Sequence, residues 1–338
     1  MTSILLPDPA GRAILTFGYA PPRATYDPEK LARITRGRSE RLARMPLDAL
    51  VLYDVQDEGS RTDEERPFPY LPTIDPLQYS REHLTAEAIA ALPRVIYRAV
   101  PRHSREEMER FLSSLDPERE ATVLVGSPSR DADQRTTLGE AYELYERLDS
   151  QPDEGSRDGQ GLTPGAEAAR RRQRTVPLLG GVTIPERHAQ KLDEDQRLRR
   201  KMDHGCSFFV SQCVYDAEAA RNLLSDYHYA MQDAGEAPAR IILTLSPCGS
   251  PQTLRFMKWL GIRFPRWLEN DLDRSGDILE RSMDACRRIA GELTEFCAER
   301  SIPFGFNVES VSIRKTEIDA AEELVGQIDA LLAGSGLR

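Results

Sequence analysis

Eight short apolar runs rich in β-favouring residues alternate with segments of helical period along the chain, and eight is the number of parallel strands that closes a barrel. The runs are Ala13 to Phe17, Ala49 to Tyr53, Arg94 to Ala99, Ala121 to Val125, Pro177 to Val182, Phe208 to Cys213, Arg240 to Leu245 and Pro303 to Val308. Helix-period segments lie between them at Pro28 to Arg44, Ala86 to Leu92, Ser104 to Leu115, Gly139 to Leu148, Asp193 to His204, Ala217 to Gln232 and Pro251 to Leu260. Alternation of this kind argues for βα units joined by right-handed crossovers. RIILTL and SFFVSQ are nearly continuous in apolar bulk, as strands covered on both faces are. Two later helices, Gly276 to Arg300 and Thr316 to Ala333, complete an outer ring, the second with Ile318, Ala321, Leu324, Val325 and Ile328 on one face. The expectation is an α/β fold: one (β/α)8 barrel of the TIM type over residues 1–338, with extra helices.

Two stretches break the rhythm. Residues 149–175 are poor in apolar side chains and rich in Gly, Pro, Ser and acids, which predicts a mobile insertion within the single domain. Asp54 to Pro76 forms a long irregular segment after the second strand. A loop of that length at the C-terminal end of a barrel strand lies where active sites are built, so it is read as part of the site.

Composition removes several classes of function. A net charge of −10 makes the average surface repel phosphate backbones, and the single basic cluster, Arg170, Arg171, Arg172 and Arg174, reads as a solvated helix end, so no nucleic-acid partner is expected. No apolar run approaches the roughly 20 residues that span a bilayer, and the first residues lack a secretory pattern, which points to no membrane partner and a cytoplasmic location. Five cysteines without a CxxC pair point to reduced, mostly buried thiols.

In such a barrel the functional positions are the strand ends and the loops after them. They supply Gly18 and Tyr19; Asp54, Gln56, Asp57 and Glu58; Arg98; Gly126 and Ser127; Thr183, Glu186 and His188; Gln212; Ser246; Asn307 and Glu309. No His and carboxylate cluster has metal spacing, which disfavours a metal-dependent hydrolase. Gln212 is a poor core filler. Its amide either ties the barrel to itself or faces a ligand with a matching donor and acceptor edge.

The segment PERHAQKLDEDQRLRRKMDHGCSFFVSQCVYDAEAA resembles the middle of the methylenetetrahydrofolate reductase family. The shared pattern is a Pro-Glu-x-His loop, a helix ending in a basic pair, K-x-D-x-G, and a strand ending in a glutamine before an aromatic turn and Asp. Here these are Pro185, Glu186 and His188; Arg200, Lys201, Asp203 and Gly205; and Ser211, Gln212 and Asp216. Weaker likeness extends to FMKWLGIRFPRW and to Pro21-Pro22. The resemblance implies a reduced folate as substrate, with Gln212, Gly18 and Tyr19 beside it. It further implies FAD held by Glu186, His188, Arg200, Lys201, Gly126 and Ser127, and NAD(P)H as hydride source. A homo-oligomer is compatible with it.

The departures are specific. The family's Ser-Phe-Glu-Phe-Phe-Pro-Pro opening reads Thr16-Phe17-Gly18-Tyr19-Ala20-Pro21-Pro22, so the glutamate that assists opening of the folate's five-membered ring has become Gly18. Arg-Gly-Asp after the fourth strand reads Val125-Gly126-Ser127, and a flavin-contacting histidine after the third becomes Tyr97 or Arg98. Asp63 to Pro69 instead resembles members that work without flavin. The expected activity is reduction of 5,10-methylenetetrahydrofolate to 5-methyltetrahydrofolate by direct hydride transfer from NAD(P)H. Acid assistance would then come from Glu309, Asp54 or Glu58. The alternatives are a folate-binding or one-carbon-sensing protein that has lost reductase chemistry, and an enzyme of another C1 carrier.

Overall fold

A computed structural model describes residues 2–59, 62–127, 134–150 and 176–338. The basic cluster and all but Asp149 and Ser150 of the expected insertion lie outside the described residues. Eight strands form a closed parallel barrel in sequence order: β1 (Ile14–Tyr19), β2 (Ala49–Leu52), β3 (Arg94–Ala99), β4 (Glu120–Val125), β5 (Leu179–Thr183), β6 (Cys206–Cys213), β7 (Arg240–Leu245) and β8 (Phe304–Glu309). The expected (β/α)8 fold is what the chain adopts. β8 pairs with β1 from Ile14 opposite Gly305 to Gly18 opposite Glu309, which closes the ring.

Strand alternation sends side chains to two cores. Ile14, Ala49, Val51, Val95, Ala121, Val123, Phe208, Val210 and Ile242 fill the barrel interior, with Leu5 from the N-terminal turn below them. Arg240 closes that lower end, its guanidinium donating to the carbonyls of Leu6, Arg12 and Phe304. The opposite parity, Leu15, Phe17, Leu50, Leu52, Ile96, Phe209, Ile241, Leu243 and Phe306, packs against the helices.

The helices among the described residues are α1 (Pro28–Leu42), α2 (Pro76–His83), α3 (Glu87–Ala90), α4 (Arg105–Ser114), α5 (Leu138–Asp149), α6 (Pro185–Lys191), α7 (Glu194–Asp203), α8 (Ala217–Ala234), α9 (Pro251–Trp259), α10 (Arg266–Arg274), α11 (Ile278–Arg300) and α12 (Lys315–Gly334). Ser104 with Glu107, and Thr137 with Glu140, form reciprocal capping boxes that start α4 and α5. Gly205 takes φ +92° after α7, the positive value its place at a helix end requires.

Three helices were not expected. α2 starts where Asp75 accepts from the N–H groups of Leu77 and Gln78, with Pro76 in the first turn. α6 takes up the Pro-Glu-x-His segment read as a loop, with Pro185 at its start and Leu192 in the left-handed conformation at its end. α10 is the third, a short amphipathic turn that buries Leu268 and Leu272.

Candidate functional site

At the C-terminal end of the barrel the apolar interior gives way to one connected polar group. Gly18 points inward from β1, and a Cβ built there would lie 2.5 Å from the hydroxyl oxygen of Tyr53, the residue following β2. That hydroxyl therefore occupies the space a β1 side chain would need. Asn307 of β8 donates to it from Nδ2 at 2.8 Å and also reaches Thr244 Oγ1 at 3.3 Å. The amide is oriented by Thr16, whose hydroxyl donates to Asn307 Oδ1 at 2.9 Å. With Asn307 donating to its oxygen, Tyr53 has its own proton to give, and the Glu309 carboxyl of β8 is its electrostatic neighbour. The Cys213 thiol donates to the same carboxylate, 3.1 Å from Oε1.

Burial pushes Glu309 above the usual carboxylate range, outweighing the opposing influence of Tyr53 and Cys213. Tyr53 and Cys213 are raised well above their ordinary values, by burial first and by the Glu309 charge second. Tyr97 from β3 packs edge-on against Tyr53, ring centroids 4.8 Å apart. Tyr53 and Glu309 are partly exposed, whereas Thr16, Thr244 and Asn307 are fully buried beneath them. Sequence reading missed Tyr53 and Cys213. For Tyr53 the signal available was parity, since Ala49 and Val51 face inward and Tyr53 two residues on does as well. For Cys213 parity from Phe208 and Val210 fails, because the pairing of β6 with β7 shifts register between Val210 and Cys213.

The other two carboxylates proposed as acids differ. Burial alone would raise Asp54, but hydrogen bonds from His103 and the Ala99 N–H, with the charges of Arg98 and Arg102, hold it below the usual range. Its oxygens accept from Ala99 N at 2.8 Å and Arg102 Nη1 at 3.2 Å, so it stays ionised as a structural acceptor and makes a poor acid. Glu58 lies half-buried on the long loop after β2.

That loop reaches across the ring to α9, the helix after β7. Trp259 Nε1 donates to the Glu64 carbonyl at 3.0 Å, Gln252 Nε2 to that of Pro67 at 3.1 Å, and Phe68 meets Phe256 edge-on at 5.1 Å. Arg66 lies among three rings, its guanidinium carbon 5.4 Å from Tyr70, 5.5 Å from Phe256 and 5.1 Å from Trp259. The loop is a strap seated by one cation among aromatics.

Gln212 is part-buried at the end of β6, and its Nε2 donates to the Leu260 carbonyl at 3.0 Å. One of its two amide donors is thus used to tie β6 to the turn after α9. Gly261, Ile262, Arg263 and Phe264 of that turn line an open recess of about 460 Å³ with Lys258 and Glu269. Glu186, 2% exposed at the start of α6, has neither carboxylate oxygen hydrogen-bonded. Burial, with a smaller push from Asp216, drives it up to about 8. Its charge also adds a small upward push on the Cys213 thiol.

The remaining expected site residues do not converge. Tyr19 follows inward-facing Gly18 and so faces out, packing edge-on against Tyr79 and beneath Arg38 in the helical layer. His188 is fully buried between helices, with Nε2 3.0 Å from Asp226 of α8 and Nδ1 3.7 Å from Asp195 of α7. Lys201 donates to the Val182 carbonyl of β5, and burial pulls its ammonium below the usual value. Arg200, its neighbour on the same helix, is exposed. Gly126 accepts from Gln56 Nε2 at 3.4 Å at the end of β4, with Ser127 beside it.

No family model and no curated protein matches the chain. Among solved structures, an uncharacterized protein from Clostridium thermocellum that binds two copies of 5-methyl-5,6,7,8-tetrahydrofolic acid is 37% identical over 95% of this chain and 96% of that one, with a TM-score of 0.76. Apo-MsnO8 is 14% identical over 94% of this chain and 99% of that one at a TM-score of 0.54, a likeness of fold alone.

Proposed function

The chain belongs to the same family as the Clostridium thermocellum folate-binding barrel, and from that premise we propose that it binds a reduced folate at the C-terminal mouth of its own barrel. The observation that carries this reading is identity of 37% sustained over 95% of the chain. The finer reading is a reductase of methylenetetrahydrofolate reductase type, converting 5,10-methylenetetrahydrofolate to 5-methyltetrahydrofolate with NAD(P)H. Support for it comes from the Pro-Glu-x-His, K-x-D-x-G and Gln212 series, and from a protonatable carboxyl, Glu309, inside the mouth that lacks a side chain at Gly18.

Gln212 would read the pterin with the amide atoms left after its bond to Leu260. Of the residues assigned to a flavin, His188 is engaged by Asp226 and Lys201 by a strand carbonyl, while Arg200 is turned to solvent, an arrangement that offers a flavin few free cationic contacts. The reaction is therefore read without flavin. The nicotinamide supplies hydride, and the chain's work is to hold the folate carbon in reach, exclude water and manage one proton.

The test is calorimetric titration with 5-methyltetrahydrofolate, followed by NAD(P)H oxidation with 5,10-methylenetetrahydrofolate and a visible spectrum of the purified protein. Micromolar binding, turnover and a colourless sample are expected. Binding without turnover for either nicotinamide would leave a folate-binding protein and remove the reductase reading. A flavin band would overturn the flavin-free one.

A further inference from the structure

We propose that Tyr53 is the proton-delivering residue of this mouth, passing to the bound ligand a proton supplied by Glu309 and standing in for the side chain that Gly18 lacks. The inference rests on the reductase reading above and adds to it a residue which neither composition nor family pattern marks.

Three observations converge. The first is place: the Tyr53 hydroxyl lies 2.5 Å from where the Cβ of residue 18 would be, so it enters the mouth at the point from which a β1 side chain would reach a ligand. The second is direction. Asn307, fixed by Thr16, donates to the Tyr53 oxygen, which leaves the hydroxyl proton as the one Tyr53 gives away. The third is supply and access, since Tyr53 and Glu309 act on one another electrostatically and are partly exposed while the groups that orient them are buried.

The step balances as follows. Opening of the five-membered ring breaks the bond between the methylene carbon and N10, the electron pair stays on N10, and N10 takes the Tyr53 proton. The iminium carbon then accepts a hydride with its electron pair from the reduced nicotinamide, which leaves oxidised. Tyr53 regains its proton from Glu309, and solvent reprotonates Glu309, so each turnover consumes one proton and one hydride. Because burial raises the phenol far above neutrality, Tyr53 does not persist as a phenolate. It gives a proton only as it receives one. The titratable groups facing Glu309 are Tyr53 just after β2, Tyr97 from β3 and Cys213 from β6, with Glu186 of α6 acting electrostatically on Cys213.

The experiment compares the full chain with its Tyr53→Phe and Glu309→Gln variants in NAD(P)H-dependent turnover across pH, with binding of 5-methyltetrahydrofolate measured in parallel. Tyr53→Phe is expected to keep its folate affinity within about 3-fold while kcat falls about 10²- to 10⁴-fold. The decline of rate with rising pH, set in the wild type by loss of the Glu309 proton, is expected to vanish in both variants. A wild type that turns over, with Tyr53→Phe matching its kcat, overturns the relay alone. Parallel loss of folate affinity and melting temperature in Tyr53→Phe also overturns it, showing a structural role. A wild type that binds folate without turnover overturns the reductase reading and the relay with it.

Discussion

Tyr53 and Gly18 share one place at the mouth of the barrel: the hydroxyl of the first lies where the second would carry its Cβ, 2.5 Å away, and two ring carbons follow at 2.9 Å. Contacts of that length cannot be met by a small shift, because Tyr53 is held by Asn307 and packed against Tyr97. Gly18→Ala is expected to destabilise the fold by about 1–3 kcal/mol through overpacking. Thermal unfolding would show it, and combining the change with Tyr53→Leu would restore most of the loss. An unchanged melting temperature in the single variant would contradict the packing described.

Glu186 gives a pH dependence whose sign follows from its burial. Its carboxyl titrates at about 8 in the folded chain against an ordinary 4.5, so the folded state holds a proton that the unfolded state has lost between those values. Its stabilising contribution is complete below the lower value and is lost as pH rises through the upper one. Glu186→Gln keeps the shape and removes the titration. The difference in melting temperature, variant minus wild type, should rise steadily from about pH 5 to about pH 8. A flat difference would mean that Glu186 is ionised in the fold.

Gln212 is engaged by Leu260 and expected to face the folate as well, and the two roles separate by variant. Gln212→Glu removes the donor and adds charge, whereas Gln212→Ala empties the position. Both should weaken 5-methyltetrahydrofolate binding by about 10- to 100-fold, the loss of one to two hydrogen bonds. If affinity persists in both, Gln212 serves only to tie β6 to the turn after α9.

Arg66 predicts how the strap is held. Arg66→Ala removes the cation from three rings, at about 1–2 kcal/mol, and should release residues 62–70 without melting the barrel. Hydrogen exchange at those amides is expected to quicken while strands β1 to β8 keep their protection. Unchanged exchange in the loop would mean that the bonds from Trp259 and Gln252 to its carbonyls suffice.

The placement of the carboxylates shows where sequence reading stops. Glu309, Asp54 and Glu58 look alike as candidates at strand ends. In the fold Asp54 is bonded to the Ala99 N–H and Arg102 and stays ionised, while Glu309 enters a closed set with Tyr53 and Cys213 and is raised. The cations show the same limit. His188 and Lys201 stand in a family pattern, and in the fold the first pairs with Asp226 between helices and the second donates to a strand carbonyl. α6 went unread because seven residues carry too short a periodic signal, even with Pro185 at the start.

The sequence by itself determined the barrel. Strand and helix periodicity, capping residues and turn glycines are local properties, and eight runs in alternation leave one closed parallel arrangement that buries both faces of each strand. It also determined which residues could stand at the mouth. Only the tertiary structure decided which of them meet, since Gly18, Tyr53, Cys213 and Glu309 come from four strand ends as far as 291 positions apart along the chain, as Thr16 and Asn307 do beneath them. Their partnership depends on side-chain parity and on the pairing of β8 with β1, and ring closure fixes both through contacts that no local stretch of sequence contains.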